Sequence, residues 1–168
     1  MVDWEELVRR EGSAVWHAIH RVVRNRADAD ECFQETWADA FQLSTRQAVS
    51  NWPALLKRLA IARAVDRVRR RLRRTRREDA IDISTVLSIE ASPREQAETT
   101  ELAAALSWAL AQISARQAEL FCLHELEDWS YLEIAAHFSL STSAVGVLLH
   151  RARRKLQALL TSTLQRHE

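Results

Sequence analysis

Six guanidinium groups crowd the eight residues from Arg67 to Arg74, at Arg67, Arg69, Arg70, Arg71, Arg73 and Arg74. A second basic set, Arg151, Arg153, Arg154 and Lys155, lies near the end of the chain. Cations at this density bind phosphate, arginine through paired N–H donors. The second set follows a segment that spells a helix-turn-helix. Ser130 with Glu133 three residues on is a capping-box signature, and Ser139, Leu140 and Ser141 supply a short polar turn around one apolar residue. Ile134, Phe138, Leu140, Val145 and Leu148 give the apolar positions, Ala135 permits close helix approach, and Ser141 caps a helix running to Leu160. Such a second helix lies in the major groove, with its later cations on the flanking phosphates. DNA is therefore the first partner to consider.

Other chemistries find no support in the residue pattern. His17 and His20 stand one helical turn apart and Cys122 is two residues from His124, but neither pair has a second pair at ligand spacing, so no metal site and no cofactor are expected. Cys32 and Cys122 fall at apolar positions of predicted helices and read as buried thiols. No nucleophile, base and orienting acid come together, which argues against an enzyme. No apolar run reaches the roughly 18 residues that span a bilayer, and the opening MVDWEELVRREG is not a signal peptide, so a cytoplasmic protein without membrane insertion is expected.

The elements that must position these groups are helical, because 168 residues contain only two Gly and two Pro. The net charge of +1 conceals a segregation. From Lys57 to Arg77 eleven basic residues face the single acid Asp66, whereas from Glu78 to Glu133 twelve acids face Arg94 and Arg116. A cationic arm and acidic surfaces elsewhere imply phosphate on one side and other partners on the other.

A first helix is predicted from Asp3 to about Arg24 on Trp4, Leu7, Val8, Val15, Ile19, Val22 and Val23. A second, from about Asp28 to Phe41, has an apolar stripe of Ala29, Cys32, Phe33, Thr36, Trp37, Ala40 and Phe41 and a polar opposite face. Leu43 to Asn51 reads as a loop, and Pro53 fits the first turn of a third helix built on Leu55, Leu56, Leu59, Ala62, Val65, Val68 and Leu72. Periodicity stops after Arg76. Ser92, Pro93 and Glu95 then read as the cap of a helix with Leu102, Leu106, Ala109, Leu110 and Ile113 on its buried side. Ser114 and Gln117 repeat the capping device for a helix with Leu120, Phe121, Leu123 and Leu126 in the core. The expected fold is all-α: two small helical domains, residues 1–76 and 93–168, joined by a flexible linker over 77–92, the second a helix-turn-helix four-helix unit, winged-helix-like without the wing. Each has a small core and is marginally stable alone.

The combined pattern resembles a bacterial RNA polymerase sigma factor of the extracytoplasmic-function group in the sigma-70 family. DADECFQETWADAF, from Asp28 to Phe41, is similar to the family's acidic helix that grips the clamp of core polymerase. The resemblance carries over Asp28, Asp30, Glu31, Gln34 and Glu35 as core-binding residues. Asn51 to Arg74 resembles the family's promoter-opening helix, with Asp66 to Arg71 matching its D-x-L-R-R ending, although Ile61 and Ala62 replace the usual Arg-Asn pair ahead of Arg63. The loop before that helix captures an unstacked base of the minus-ten element in the family. The resemblance thus implies minus-ten contacts for Ser44, Thr45, Arg46, Gln47 and Asn51 in the loop, and for Arg63, Arg67, Arg69, Arg70, Arg71, Arg73 and Arg74 along the helix. Trp52 is either a stacking platform or core.

The second domain is the closer match. Ser114, Gln117, Leu120, Leu123, Glu127, Ser130, Tyr131, Glu133, Ile134 and Ala135 fall in register with the family's pattern, and Leu149 to Leu156 repeats its L-H-R-A-R-x-x-L. Minus-thirty-five contacts are implied for Ser130, Tyr131, Ser141, Thr142, Ser143, Gly146, His150, Arg151, Arg153, Arg154 and Lys155. One departure stands out: the family's V-K-S-R-L is here Val145, Gly146, Val147, Leu148, Leu149. Base readout then falls to Thr142, Ser143 and DNA shape. The resemblance implies a transcription initiation factor, with core RNA polymerase (beta-prime clamp and beta flap), promoter DNA and a separate anti-sigma protein as partners. A helix-turn-helix regulator acting without polymerase, and a sigma-like polymerase antagonist, are the alternatives.

Overall fold

A computed structural model of the chain describes residues 2–77 and 95–164, with side chains over 2–77 and 101–162. Every regular element among the described residues is an α-helix: α1 (Trp4–Val23), α2 (Arg26–Ser44), α3 (Trp52–Arg77), α4 (Glu95–Gln112), α5 (Ala115–Glu125), α6 (Tyr131–Phe138) and α7 (Thr142–Leu164). The cap expected at Ser92, Pro93 and Glu95, and the expected linker from 78, lie outside the described side chains.

Local chemistry sets the helix ends. The Asp3 carboxylate accepts from the Glu6 N–H at 3.0 Å and the Asn25 amide from Asp28 N–H at 2.9 Å, each satisfying an open donor of a first turn. Asn51 does the same for α3, accepting from Ala54 N–H at 3.1 Å, so a loop residue serves as a cap. Ser130 and Glu133 form the expected reciprocal box. At Ser114 only half of that device exists: its hydroxyl accepts from Gln117 N–H, but the Gln117 side chain reaches Lys155. With so few glycines, left-handed positions fall to other residues; Arg24 ends α1 at φ 62° and Ser139 ends α6 at φ 52°.

The first three helices pack through small residues. Ala18, Ala29, Ala40, Ala60 and Ala64 are fully buried and let the backbones approach, while Ile19, Val22, Leu56, Ile61 and Val65 fill the space between. Thr36 is buried because its hydroxyl donates to Cys32 carbonyl at 2.7 Å. In the second group Leu110, Leu120, Leu123, Ile134, Val145 and Leu149 form the center. Phe138, Leu140 and Leu148 are only half-buried, and Leu149 takes the central place expected of Leu148. Val8, Phe41 and Leu102, all expected in the core, are exposed. Each lies at the margin of its stripe; Leu102 stands ahead of the buried run of α4, which begins at Ala104.

The two groups pack against each other. Helix α3 packs on α4 and α5 as well as on α1 and α2, and one hydrophobic cluster runs through both. Polar contacts reinforce the seam. Arg21 donates to Leu126 carbonyl at 2.6 Å, Arg58 to His137 carbonyl at 3.1 Å, Arg69 to Ile113 carbonyl and Ser107 to Val22 carbonyl. At its center sits Glu127, whose side chain is 1% exposed and pairs with Arg21 at 2.7 Å and Lys57 at 3.1 Å. Burying a carboxylate is costly unless cations meet it, and here two converge on it.

Candidate nucleic-acid and polymerase interface

Helices α2 and α3 carry complementary charged stripes. Asp28, Glu31, Glu35 and Asp39 recur at three- and four-residue intervals on α2, and Arg63, Arg67 and Arg71 at four-residue intervals on α3. Both spacings keep side chains on one helix face, and the helices run antiparallel, so the stripes interlock. Arg63 forks onto Asp39 with two bonds of 2.6 Å and lies 3.7 Å from Glu35. Arg67 meets Glu31, Glu35 at 3.6 Å and Asp28 at 3.5 Å, and Arg71 reaches the other Asp28 oxygen at 3.4 Å. The Asp39 hydrogen bonds raise the Arg63 guanidinium above its ordinary range; at Arg67 burial opposes the charge, and the hydrogen bond to Glu31 together with the nearby Cys32, Glu31 and Asp28 more than offsets it.

This ladder redistributes the residues expected in the site. Of the acidic set, Asp28 and Glu35 are partly buried against arginine, Glu31 is paired but exposed, and Asp30 and Gln34 face outward. Asp30 accepts from the Trp16 indole N–H at 3.0 Å. Of the cationic set, Arg63 and Arg67 brace α2, and Arg69 is spent on the seam with the second group. Arg70 pairs with Asp66 one turn back at 2.6 Å yet stays 57% exposed, while Arg73 is exposed with no ion pair among the described residues. Arg74 is exposed and engaged. Thr45, Arg46, Gln47 and Asn51 are exposed and Ser44 is half-buried; the Ser44 and Thr45 hydroxyls donate to Phe41 and Gln42 carbonyls at the end of α2. Trp52 is half-buried, edge-on to Trp4 at 5.2 Å, and Trp4 in turn lies 5.6 Å from the exposed Phe41 ring. Asp39 went unmarked in the sequence, although its four-residue step from Glu35 was the available signal.

In the second group, α6 and α7 meet around the Ser139 turn, with Ser141 accepting from Ala144 N–H at 3.1 Å as the cap of α7. Val145, Leu149, Ala152 and Leu156 turn inward, and Thr142, Ser143, Val147, His150, Arg151 and Arg154 are exposed. Arg151 and Arg154 make no ion pair among the described residues, and α7 contains no carboxylate. Arg153 is different: it holds Glu125 at 2.6 Å. Lys155 reaches Gln117, Ser130 is occupied as a cap, and Tyr131 lies edge-on to His124 at 5.1 Å. An open basic helix with a short polar first turn can enter a major groove.

Residues 104–156 match the family model for sigma-70, region 4. Over 160 residues the chain is 28% identical to the ECF RNA polymerase sigma factor SigE of Mycolicibacterium smegmatis, covering 95% of this chain and 62% of that protein. The chain is thus similar to sigma factors of the extracytoplasmic-function group, and its match to the sigma-70 region 4 model is confined to residues 104–156. Its fold is that of solved sigma factors. The RpoE structure with the anti-sigma factor NepR from Bartonella quintana aligns at a TM-score of 0.60 and 21% identity, covering 95% of this chain and 97% of that one. The structure of CnrH with the cytosolic domain of CnrY aligns at 0.57 and 24%, covering 94% and 87%.

The remaining reactive groups of the chain are structural. Burial pushes the Cys32 thiol up to about 11 and the Cys122 thiol higher still, so neither is a thiolate at neutral pH. No group of three or more metal-ligating side chains exists among the described residues, and no single helix there is long and apolar enough to cross a membrane. His20 stacks on Trp16 at 4.7 Å, and His137 sits 4.7 Å from Trp129. Burial, then the neighboring Arg24 and Arg58 respectively, lower both imidazoles below 6.5. The folded chain therefore prefers them neutral, and their contribution to stability is present above 6.5 and lost as pH falls through the lower folded values. Burial raises the Glu119 carboxyl, which acts in the opposite sense. Thermal midpoints from pH 7.5 to about 5.5 are expected to fall less steeply in His137→Gln than in wild type; equal slopes would exclude His137 as a contributor.

Proposed function

We propose that the protein is a sigma factor that binds core RNA polymerase, places two DNA readers on a promoter and holds the melted strand so that transcription starts. The observation that carries this reading is the exposed, carboxylate-free face of α7 within the segment matching region 4, with Arg151 and Arg154 free to meet phosphates. In this reading the outward Asp30 and Gln34 meet the beta-prime clamp, the second group meets the beta flap and the minus-thirty-five element, and the 45–51 loop with Arg70 and Arg73 holds the minus-ten strand. The protein acts in the cytoplasm, is not an enzyme, and is held in check by a separate anti-sigma protein, as the solved relatives bound to NepR and CnrY suggest by analogy.

The test is reconstitution. Purified protein mixed with core polymerase and a randomized promoter library should initiate at a shared pair of upstream elements. Failure to co-purify with core would overturn the proposal, and co-purification without initiation would point to a polymerase antagonist. Within the same assay, Arg70→Ala with Arg73→Ala is expected to weaken open complexes and to flatten the log–log salt dependence by about 1.4, some 0.7 for each lost single-strand phosphate contact. An unchanged slope would remove both residues from the DNA surface.

A further inference from the structure

We infer that Val147 reads a thymine in the upstream promoter element through the 5-methyl group of the base. This rests on the sigma-factor reading of the α7 face and names what that face selects.

Val147 is 49% exposed, whereas Val145 and Leu149 on either side of it are fully buried. It has no part in the core. Its neighbors on the open face are Ser143 one turn earlier and His150 and Arg151 one turn later, all exposed. An apolar side chain is thus set among short hydroxyls on one side and cations on the other. A protein groove would match the valine but would have to bring its own carboxylates to the unpaired Arg151 and Arg154 of a helix that has none; a major groove supplies apolar and anionic partners together. Phosphates flank it, and within it thymine alone presents a methyl group.

Gly146 supports the same conclusion. Its φ is not positive, and an added Cβ would sit 3.5 Å from the Tyr131 ring, an ordinary contact. Neither the backbone nor the packing requires glycine, which weakens a helix interior. What glycine supplies is a flat helix surface beside Val147, bordered by the Tyr131 ring.

The test uses the full chain with core polymerase and the promoter selected from the randomized library. Each thymine of the upstream element is replaced in turn by deoxyuridine, which removes the methyl group and leaves base pairing intact. Wild type is expected to lose about fourfold in initiation at one such position, the effect of exposing one buried methyl-sized group. Val147→Ala should lose a similar factor on the thymine template and show no further loss with deoxyuridine, while Val147→Ile keeps the discrimination. An upstream element without thymine, indifference of wild type to every replacement, or an unchanged thymine-to-deoxyuridine ratio in Val147→Ala overturns the inference with the sigma reading intact. Absence of initiation from the whole library overturns both.

Discussion

The double variant Arg21→Met, Lys57→Met is expected to shift the chain from its closed arrangement toward one in which the two helical groups part. Both cations belong to the first group and both contact Glu127 of the second, whose side chain is 1% exposed. Removing them leaves a buried carboxylate with no countercharge, a change that costs roughly 3 kcal/mol or more than a hundredfold in population. Unfolding is not the only escape. Glu127 lies just beyond α5, on the seam itself, so separating the groups returns it to water while each keeps its own helices. The expected result is a larger radius of gyration in solution scattering with far-UV circular dichroism close to wild type.

A third substitution makes the result diagnostic. Adding Glu127→Leu to the double variant removes the stranded charge, and compactness should return, since an ion cluster replaced as a whole by apolar side chains often loses nothing. An unchanged radius in the double variant would mean that the cluster does not hold the seam. Opening also has a consequence for DNA. In the closed form Arg69 donates to Ile113 carbonyl, so its guanidinium becomes available to phosphate only when the groups separate.

That seam was not legible in the sequence, and the reason is physical. Periodicity reports which face of a helix is buried, and it located α1 to α3 and the helix-turn-helix from apolar spacing and caps. It does not report the partner across the interface. Arg21, Lys57 and Glu127 carry the residue types that usually cover surfaces, and Glu127 is buried only because two remote cations converge on it. The cationic arm misled in a related way. Counting charge from Lys57 to Arg77 gives a strongly positive segment, yet Arg63 and Arg67 are neutralized locally by α2 and Arg69 is turned inward. The matching four-residue steps of acids and arginines were present in the sequence; reading each stripe as a surface for an outside partner obscured that they serve one another. The exposed stripe of α7 depends less on remote residues, because the tight turn ahead of that helix fixes which of its faces packs inward.

Charge reversal on α2 now separates recognition from folding. If the proposed contact of this face with the polymerase clamp holds, Asp30→Arg with Gln34→Arg is expected to weaken binding of core polymerase by roughly a hundredfold, as placing cations against a basic surface would. Stability should change little, by about 1 kcal/mol for the lost Trp16 indole bond, because both positions face outward. Glu35→Arg is the wrong probe. Glu35 lies within 3.7 Å of Arg63 and 3.6 Å of Arg67, so a third guanidinium there repels two others in a partly buried ladder, and weakened polymerase binding would follow from a loosened α2 alone. Fluorescence titration with core polymerase, run beside thermal unfolding for both variants, distinguishes the cases. If Asp30→Arg, Gln34→Arg binds as wild type does, the outer face of α2 is solvent-covered in the complex, and contact with polymerase must pass through the ladder or through the second helical group.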